Sequence, residues 1–298
     1  VSASFPIWEI FLTTRIFIGL AVSGVAAVAM TYIGEEIAQK DIGLAMGLYI
    51  SGTAIGGMGG RLIAGVLVDF ISWQSATYII GFINLIIACL FYLLLPKSQH
   101  FQPYPFRFSR FKAAFEQNLK DRKLRILFAE GFILMGCLVT VFNYISYHLL
   151  EAPFQLSQSW IGLISIAYLA GIYSSSKAAQ WSFKYGRAKV LPLMLLMMIA
   201  GLLITLIPAL WAILLGLIIF AFAFFAAHST ASSWVSVQAI QYRAVAASLY
   251  LFCYYIGSSL LGSSGGLIWE NFGWIGINLS VVLVLAFGLI LSIHLKAL

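Results

Sequence analysis

Four polar side chains stand inside long apolar runs of this chain: Arg15, Glu130, Asn143 and His228. A polar or charged group inside such a run is costly and usually faces a cavity, a partner or an ion path. Arg15 lies about two turns inside the first run. A fixed positive charge there, facing a cavity, would favour the ionised form of a neighbouring acid. Glu130 opens another run and reads in two ways, as a buried proton carrier or as a solvated first-turn acid. His228, within Phe224–Ser229, is either a core histidine satisfied by serine or backbone, or a titrating group on a solute path. Asn143, Tyr144 and Tyr147 close one run, and Tyr250 and Tyr254 recur in another. These tyrosines read either as a substrate path or as interfacial belt aromatics.

The remaining motifs are structural. Gly52, Gly56 and Gly60 fall four apart, with Gly57 beside them, so they form a small helix face that a neighbouring backbone can approach. Lys184, Gly186 and Arg187 sit in a short basic loop. Cys89, Cys137 and Cys253 lie singly in apolar runs without metal-ligand spacing, so they predict core packing, no disulfide and no metal. Gly262–Gly266 spells a nucleophile elbow, but no strand precedes it and no acid–His pair accompanies it. Asn278-Leu279-Ser280 spells a glycosylation sequon inside an apolar run, where it is unusable. No cofactor motif is present.

The elements that must position these residues follow from composition. Of 298 residues 62% are hydrophobic and 9% charged, which excludes an ordinary soluble domain. Nine stretches, near 7–33, 44–68, 73–95, 126–149, 160–179, 189–208, 211–233, 244–268 and 272–294, are long enough to span a bilayer as helices. They do not alternate as barrel strands do. The net charge of +7 falls on alternate loops, densest in 96–125 and 177–189, which the positive-inside rule places in the cytoplasm. Counting back places Val1 outside. The segment 96–125 is the one long loop, with three prolines and a short amphipathic helix expected over Phe111–Asp121. Its interleaved aromatic and basic residues suit anionic lipid rather than nucleic acid.

A gapless repeat is present as well. Shifted by 201, Ala45, Leu48, Tyr49, Ile55, Gly56, Gly65 and Trp73 meet Ala246, Leu249, Tyr250, Ile256, Gly257, Gly266 and Trp274. Spans one to three therefore repeat spans seven to nine in one orientation, an architecture of transporters. Spans four to six have no partner, so three helices are expected before Val1. The resulting division is 1–95 as the remainder of an N-terminal bundle, 96–125 as a cytoplasmic linker and 126–298 as a C-terminal bundle.

At these residues the chain resembles the major facilitator superfamily. The glycine run is similar to that family's antiporter motif, with Gly57 in place of Pro and Arg61 in place of the last Gly. Arg15-x3-Gly19 resembles the fourth-helix motif whose Arg is associated with proton coupling, with Ile18 at the usual Gln. Lys184–Lys189 resembles the basic half of a loop motif without its customary Asp. The strings Ser23–Ile37, Met46–Gly52, Leu127–Gly136, Phe224–Trp234 and Ser248–Gly257 are similar to a bacterial inner-membrane branch. The resemblance implies an all-α membrane protein with the major facilitator fold, about nine helices corresponding to the fourth to twelfth of twelve. It further implies a proton-coupled, monomeric exporter of small organic molecules by alternating access, with uptake and an inactive truncated remnant as alternatives. Its cavity is implied to be lined by Arg15, Glu130, Asn143 and His228. A lipid-acting enzyme would need convergent acid, base or metal residues near an interface, and none is visible.

Overall fold

The computed structural model describes residues 4, 7–36, 42–99, 108–239 and 242–297. The charged loop at 34–43, the aromatic and basic stretch at 100–107 and the position of Val1 fall partly or wholly outside them. Every regular element among the described residues is a helix: α1 (Trp8–Glu36), α2 (Ile42–Phe70), α3 (Trp73–Leu94), α4 (Phe108–Lys120), α5 (Arg122–Leu150), α6 (Gln158–Leu163), α7 (Tyr168–Tyr185), α8 (Arg187–Ile204), α9 (Leu210–Gln238) and α10 (Arg243–Ala297). Six of these are long and apolar enough to cross a membrane. In hydrocarbon a helix satisfies its own backbone polar groups, so a run of this composition has little alternative.

One span departs from the sequence reading. The stretch expected at 160–179 is broken: α6 passes into a 3₁₀ turn at Ile164–Ala167 before α7 begins. Its α7 portion carries Ser174, Ser175, Ser176 and Lys177, so it is not among the six apolar helices. The two spans expected at 244–268 and 272–294 are the two arms of α10, 243–272 and 274–297, separated at Gly273 with φ 56 and ψ −149, a conformation open to glycine and hostile to side chains. Helix α4 matches the amphipathic helix expected before Asp121. Its Phe111, Phe115 and Leu119 are exposed at i, i+4 and i+8, while Ala114 and Asn118 are buried.

The chain folds as two compact units, residues 1–105 with 157–165, and residues 106–156 with 166–298. In the first, α3 starts at Ser72, whose Oγ accepts the amide of Ser75 at 3.2 Å. Glu36 at the end of α1 accepts the Gln99 amide at 2.9 Å and the Ser98 hydroxyl, and the Tyr32 hydroxyl donates to the Pro96 carbonyl at 3.0 Å. These bonds fasten the tail of α3 to α1.

In the second unit, Asp121 caps α5 by accepting the amides of Lys123 and Leu124 at 2.8 and 3.1 Å. Its other carboxylate oxygen accepts Gln238 Nε2 at 2.9 Å, tying the end of α9 to the start of α5. The helices then meet through small residues. A Cβ on Gly201 would lie 2.7 Å from the Gly216 carbonyl, so α8 and α9 touch backbone to backbone. Along α5 and the 243–272 arm of α10 the close pairs are Gly131 with Tyr250, Gly136 with Gly257, Gly262 with Val139, and Gly265 with Tyr144. Residue numbers rise together in these pairs, so the two helices run parallel.

Candidate functional site

The second unit brings Glu130, His228, Tyr250 and Tyr254 into one cluster from three helices. Gly131 is what lets α10 in: a Cβ there would stand 2.8 Å from the Tyr250 ring, so the ring lies flat on the α5 backbone. Tyr250, 2% exposed, shares a 2.9 Å hydrogen bond between its hydroxyl and Nδ1 of His228. The His228 ring stacks on Phe224 at 6.0 Å between centroids with the planes 3° apart, and lies 4.6 Å from Tyr254. The aromatic pair fixes the imidazole plane, and the Tyr250 hydroxyl fixes one of its nitrogens.

Glu130 is fully buried, which excludes the solvated first-turn acid. It lies about 12 Å along α5 from Arg122, at ~1.5 Å per residue. Among the described residues neither of its carboxyl oxygens has a hydrogen-bond partner. Gly288, on the 274–297 arm of α10, faces it; a Cβ there would come within 3.3 Å of Oε2. Burying a carboxylate without a counter-ion is costly, and burying a carboxylic acid far less so. A group with that asymmetry suits the gain and loss of a proton as its surroundings change.

The other aromatics form a second cluster on the same helices. Tyr144 donates to the Gly262 carbonyl at 3.0 Å and stacks with Trp269 at 6.2 Å, and Tyr147 lies 5.9 Å from Trp269. Tyr144 thus anchors α5 to α10, while Tyr147 is half exposed. Asn143 borders the same seam, its Nδ2 3.9 Å from where a Gly262 Cβ would stand. The substrate-path tyrosines of the sequence reading are therefore two groups, and Trp269 and Phe224 join them unforeseen. Both lie in apolar runs where nothing in the sequence separates a stacking partner from ordinary core.

The basic loop turns on backbone geometry. Gly186 ends α7 and opens α8 with φ 84 and ψ 139. Lys184 lies over the Tyr185 ring at 5.1 Å, and Arg187 Nε donates to Ser233 at 3.4 Å. Gly186→Ala places a Cβ in the left-handed region and is expected to cost about 1–2 kcal/mol. Thermal unfolding of the purified variant in detergent checks this, as a lowered Tm.

In the first unit Arg15 is exposed, with its guanidinium 4.6 Å from the Phe11 ring centroid. Among the described residues a Cβ on Gly52, Gly56, Gly57 or Gly60 would meet nothing within 4 Å. Close approach on α2 occurs instead at Gly65, where a Cβ would fall 2.5 Å from the Gln158 carbonyl and 3.2 Å from Gly162. Beside it Asp69 accepts the amides of Gln158 and Ser159 at 2.9 and 2.8 Å. The carboxylate thus takes up two unpaired donors of the α6 first turn. Nothing in the sequence marks Asp69 for this role, because backbone amides leave no trace in a sequence. Among the described residues no cluster of His, Cys, Asp or Glu could hold a metal ion.

Among the described residues the apolar helices thus hold a buried acid without a hydrogen-bond partner and a histidine held among aromatic rings. Residues 1–262 match the family described as the Major Facilitator Superfamily. The chain belongs to that superfamily. Its relatives include the Inner membrane transport protein YnfM of Escherichia coli, 46% identical over 97% of this chain and 69% of that one. The MFS-type transporter YybF of Bacillus subtilis is 42% identical over 98% of this chain and 72% of its own length. Among solved structures, a bacterial homologue of the iron transporter ferroportin in an outward-facing state aligns with a TM-score of 0.61 at 16% identity, covering 99% of this chain and 76% of that one. A bacterial homologue of the lysosomal transporter Spinster, inward-facing and unoccupied, aligns at 0.60, also at 16% identity, over 90% and 73%. The superfamily's fold is thus met by these helices, and its members are membrane transporters rather than enzymes.

Proposed function

We propose that this superfamily member is a proton-coupled exporter of small organic molecules, working by alternating access as a monomer in the bacterial inner membrane. The observation that carries the reading is Glu130, buried and unpartnered among the described residues, with Tyr250 and His228 packed beyond it. A bilayer-depth acid with no structural bond to keep is a natural proton carrier. Asn143 and His228 are the further candidates of this unit, and Arg15 is the fixed-charge candidate of the first. Residues 1–95 belong to one repeat and 126–298 form the other, with 96–125 joining them on the cytoplasmic side. The printed name of YnfM supports the inner membrane. Export is favoured by the glycine run on α2, with its resemblance to an antiporter motif. Its departures at Gly57 and Arg61 favour uptake as the second reading.

A panel of small organic solutes, offered to proteoliposomes of the full-length chain under proton gradients of either sign, tests this. Export predicts solute movement against the proton flow, abolished by a protonophore. Solute movement with the proton flow would establish uptake, and solute flux indifferent to the gradient would remove proton coupling.

A further inference from the structure

Helix α5 and the 274–297 arm of α10 leave a cavity of about 450 Å³ between them at their basic ends. Its two walls are complementary helical stripes. Arg122, Arg125 and Ala129 come from one face of α5, and Phe287, Ile290 and His294 from one face of α10, each at three- and four-residue spacing. The charged members sit together at one end, because α5 begins there and α10 ends there. Among the described residues neither guanidinium carries an ion pair or a hydrogen bond. His294, exposed on the same arm, has its Nδ1 hydrogen-bonded to the Ile290 carbonyl at 2.8 Å. The other end of the cavity is apolar and runs on into side chains left bare: Ile290 is 54%, Phe287 57% and Leu283 71% exposed.

We propose that this cavity binds one anionic glycerophospholipid of the inner leaflet, its phosphate held by Arg122 and Arg125 and an acyl chain laid along Ile290, Phe287 and Leu283. Charge complementarity selects the head group, since the two guanidinium forks of Arg122 and Arg125 line the same end of the cavity. The apolar stripe selects a lipid over a free anion, because it continues from the basic end toward the hydrocarbon. Helix α4 places the membrane surface at this level independently, with Phe111, Phe115 and Leu119 exposed along one face just before α5. Basic residues at the cytoplasmic side are attracted to anionic lipid whatever their arrangement. The two converging stripes make this a defined site rather than a diffuse attraction.

Native mass spectrometry of the full-length chain, released from detergent with phosphatidylglycerol and phosphatidylcholine of matched chains, tests the site. The parent is expected to keep one phosphatidylglycerol in preference to phosphatidylcholine. Its affinity should fall about thirtyfold in R122Q/R125Q, from the loss of two surface charges. K112Q/K120Q, which removes two cations of α4 instead, should leave that affinity unchanged. I290W fills the groove with every charge intact and should also expel the lipid, which keeps the test decisive should the double variant fail to fold. Equal retention of both lipids, unchanged affinity in both R122Q/R125Q and I290W, or displacement of the adduct by inorganic phosphate at equal concentration would overturn the proposal. The last of these would mark a phosphate site instead.

Discussion

Glu130→Gln is expected to fold as the parent does and to lose all gradient-driven transport. The substitution keeps the volume of the side chain and removes its ability to carry a proton. Since neither carboxyl oxygen holds a bond among the described residues, no structural partner is orphaned by the change. Thermal stability should therefore stay level or rise slightly. A neutral side chain fixed at this place stands for the permanently protonated carrier, so exchange of solute for solute should persist while accumulation fails. Radiolabelled solute flux in proteoliposomes, with and without an imposed gradient, separates the two activities. Accumulation by the Gln variant equal to that of the parent would show that Glu130 carries no coupled proton.

Gly257→Val is expected to cost about 3 kcal/mol or more and to abolish recovery of folded protein. A Cβ at Gly257 would lie 2.0 Å from the Phe132 carbonyl oxygen and 2.8 Å from the Phe132 Cα, so it meets backbone and not a side chain that can turn away. Relief would require α5 and α10 to separate, which undoes the Gly131–Tyr250 and Gly265–Tyr144 contacts on either side. The repeat supplies an internal control. Gly56 is the counterpart of Gly257 at the 201-residue offset, yet among the described residues a Cβ there meets nothing within 4 Å. Gly56→Val should therefore be tolerated in folding. Fluorescence size-exclusion profiles and thermal unfolding in detergent compare the pair, and equal loss from both variants would contradict the difference in packing.

That pair also shows what a sequence can and cannot carry. The repeat aligned Gly56 with Gly257, and spacing made Gly56 a packing glycine, but a glycine's neighbour belongs to another part of the chain. Span lengths and loop charges were legible because hydrocarbon thickness and helix rise set them locally. The last two spans divide at Gly273 as expected, but the 3₁₀ turn at Ile164–Ala167 broke another span, because hydrogen bonding within such a turn depends on tertiary fit. Glu130 and His228 stood out singly as polar residues in apolar runs. Their meeting around Tyr250 rests on the room left by Gly131 and Gly288, and neither glycine announced its role. Asp69 escaped for the same reason, since its partners are two main-chain amides.

The central claim is that solute and proton cross this chain in opposite directions in one coupled cycle, with Glu130 as the carrier. The most direct test loads proteoliposomes of the full-length protein with a pH-sensitive dye and adds solute without any imposed gradient. Coupled transport predicts a change in lumenal pH that begins with solute addition, scales with solute flux and disappears in Glu130→Gln. Solute entry with lumenal pH unmoved, in the parent protein, would contradict the account.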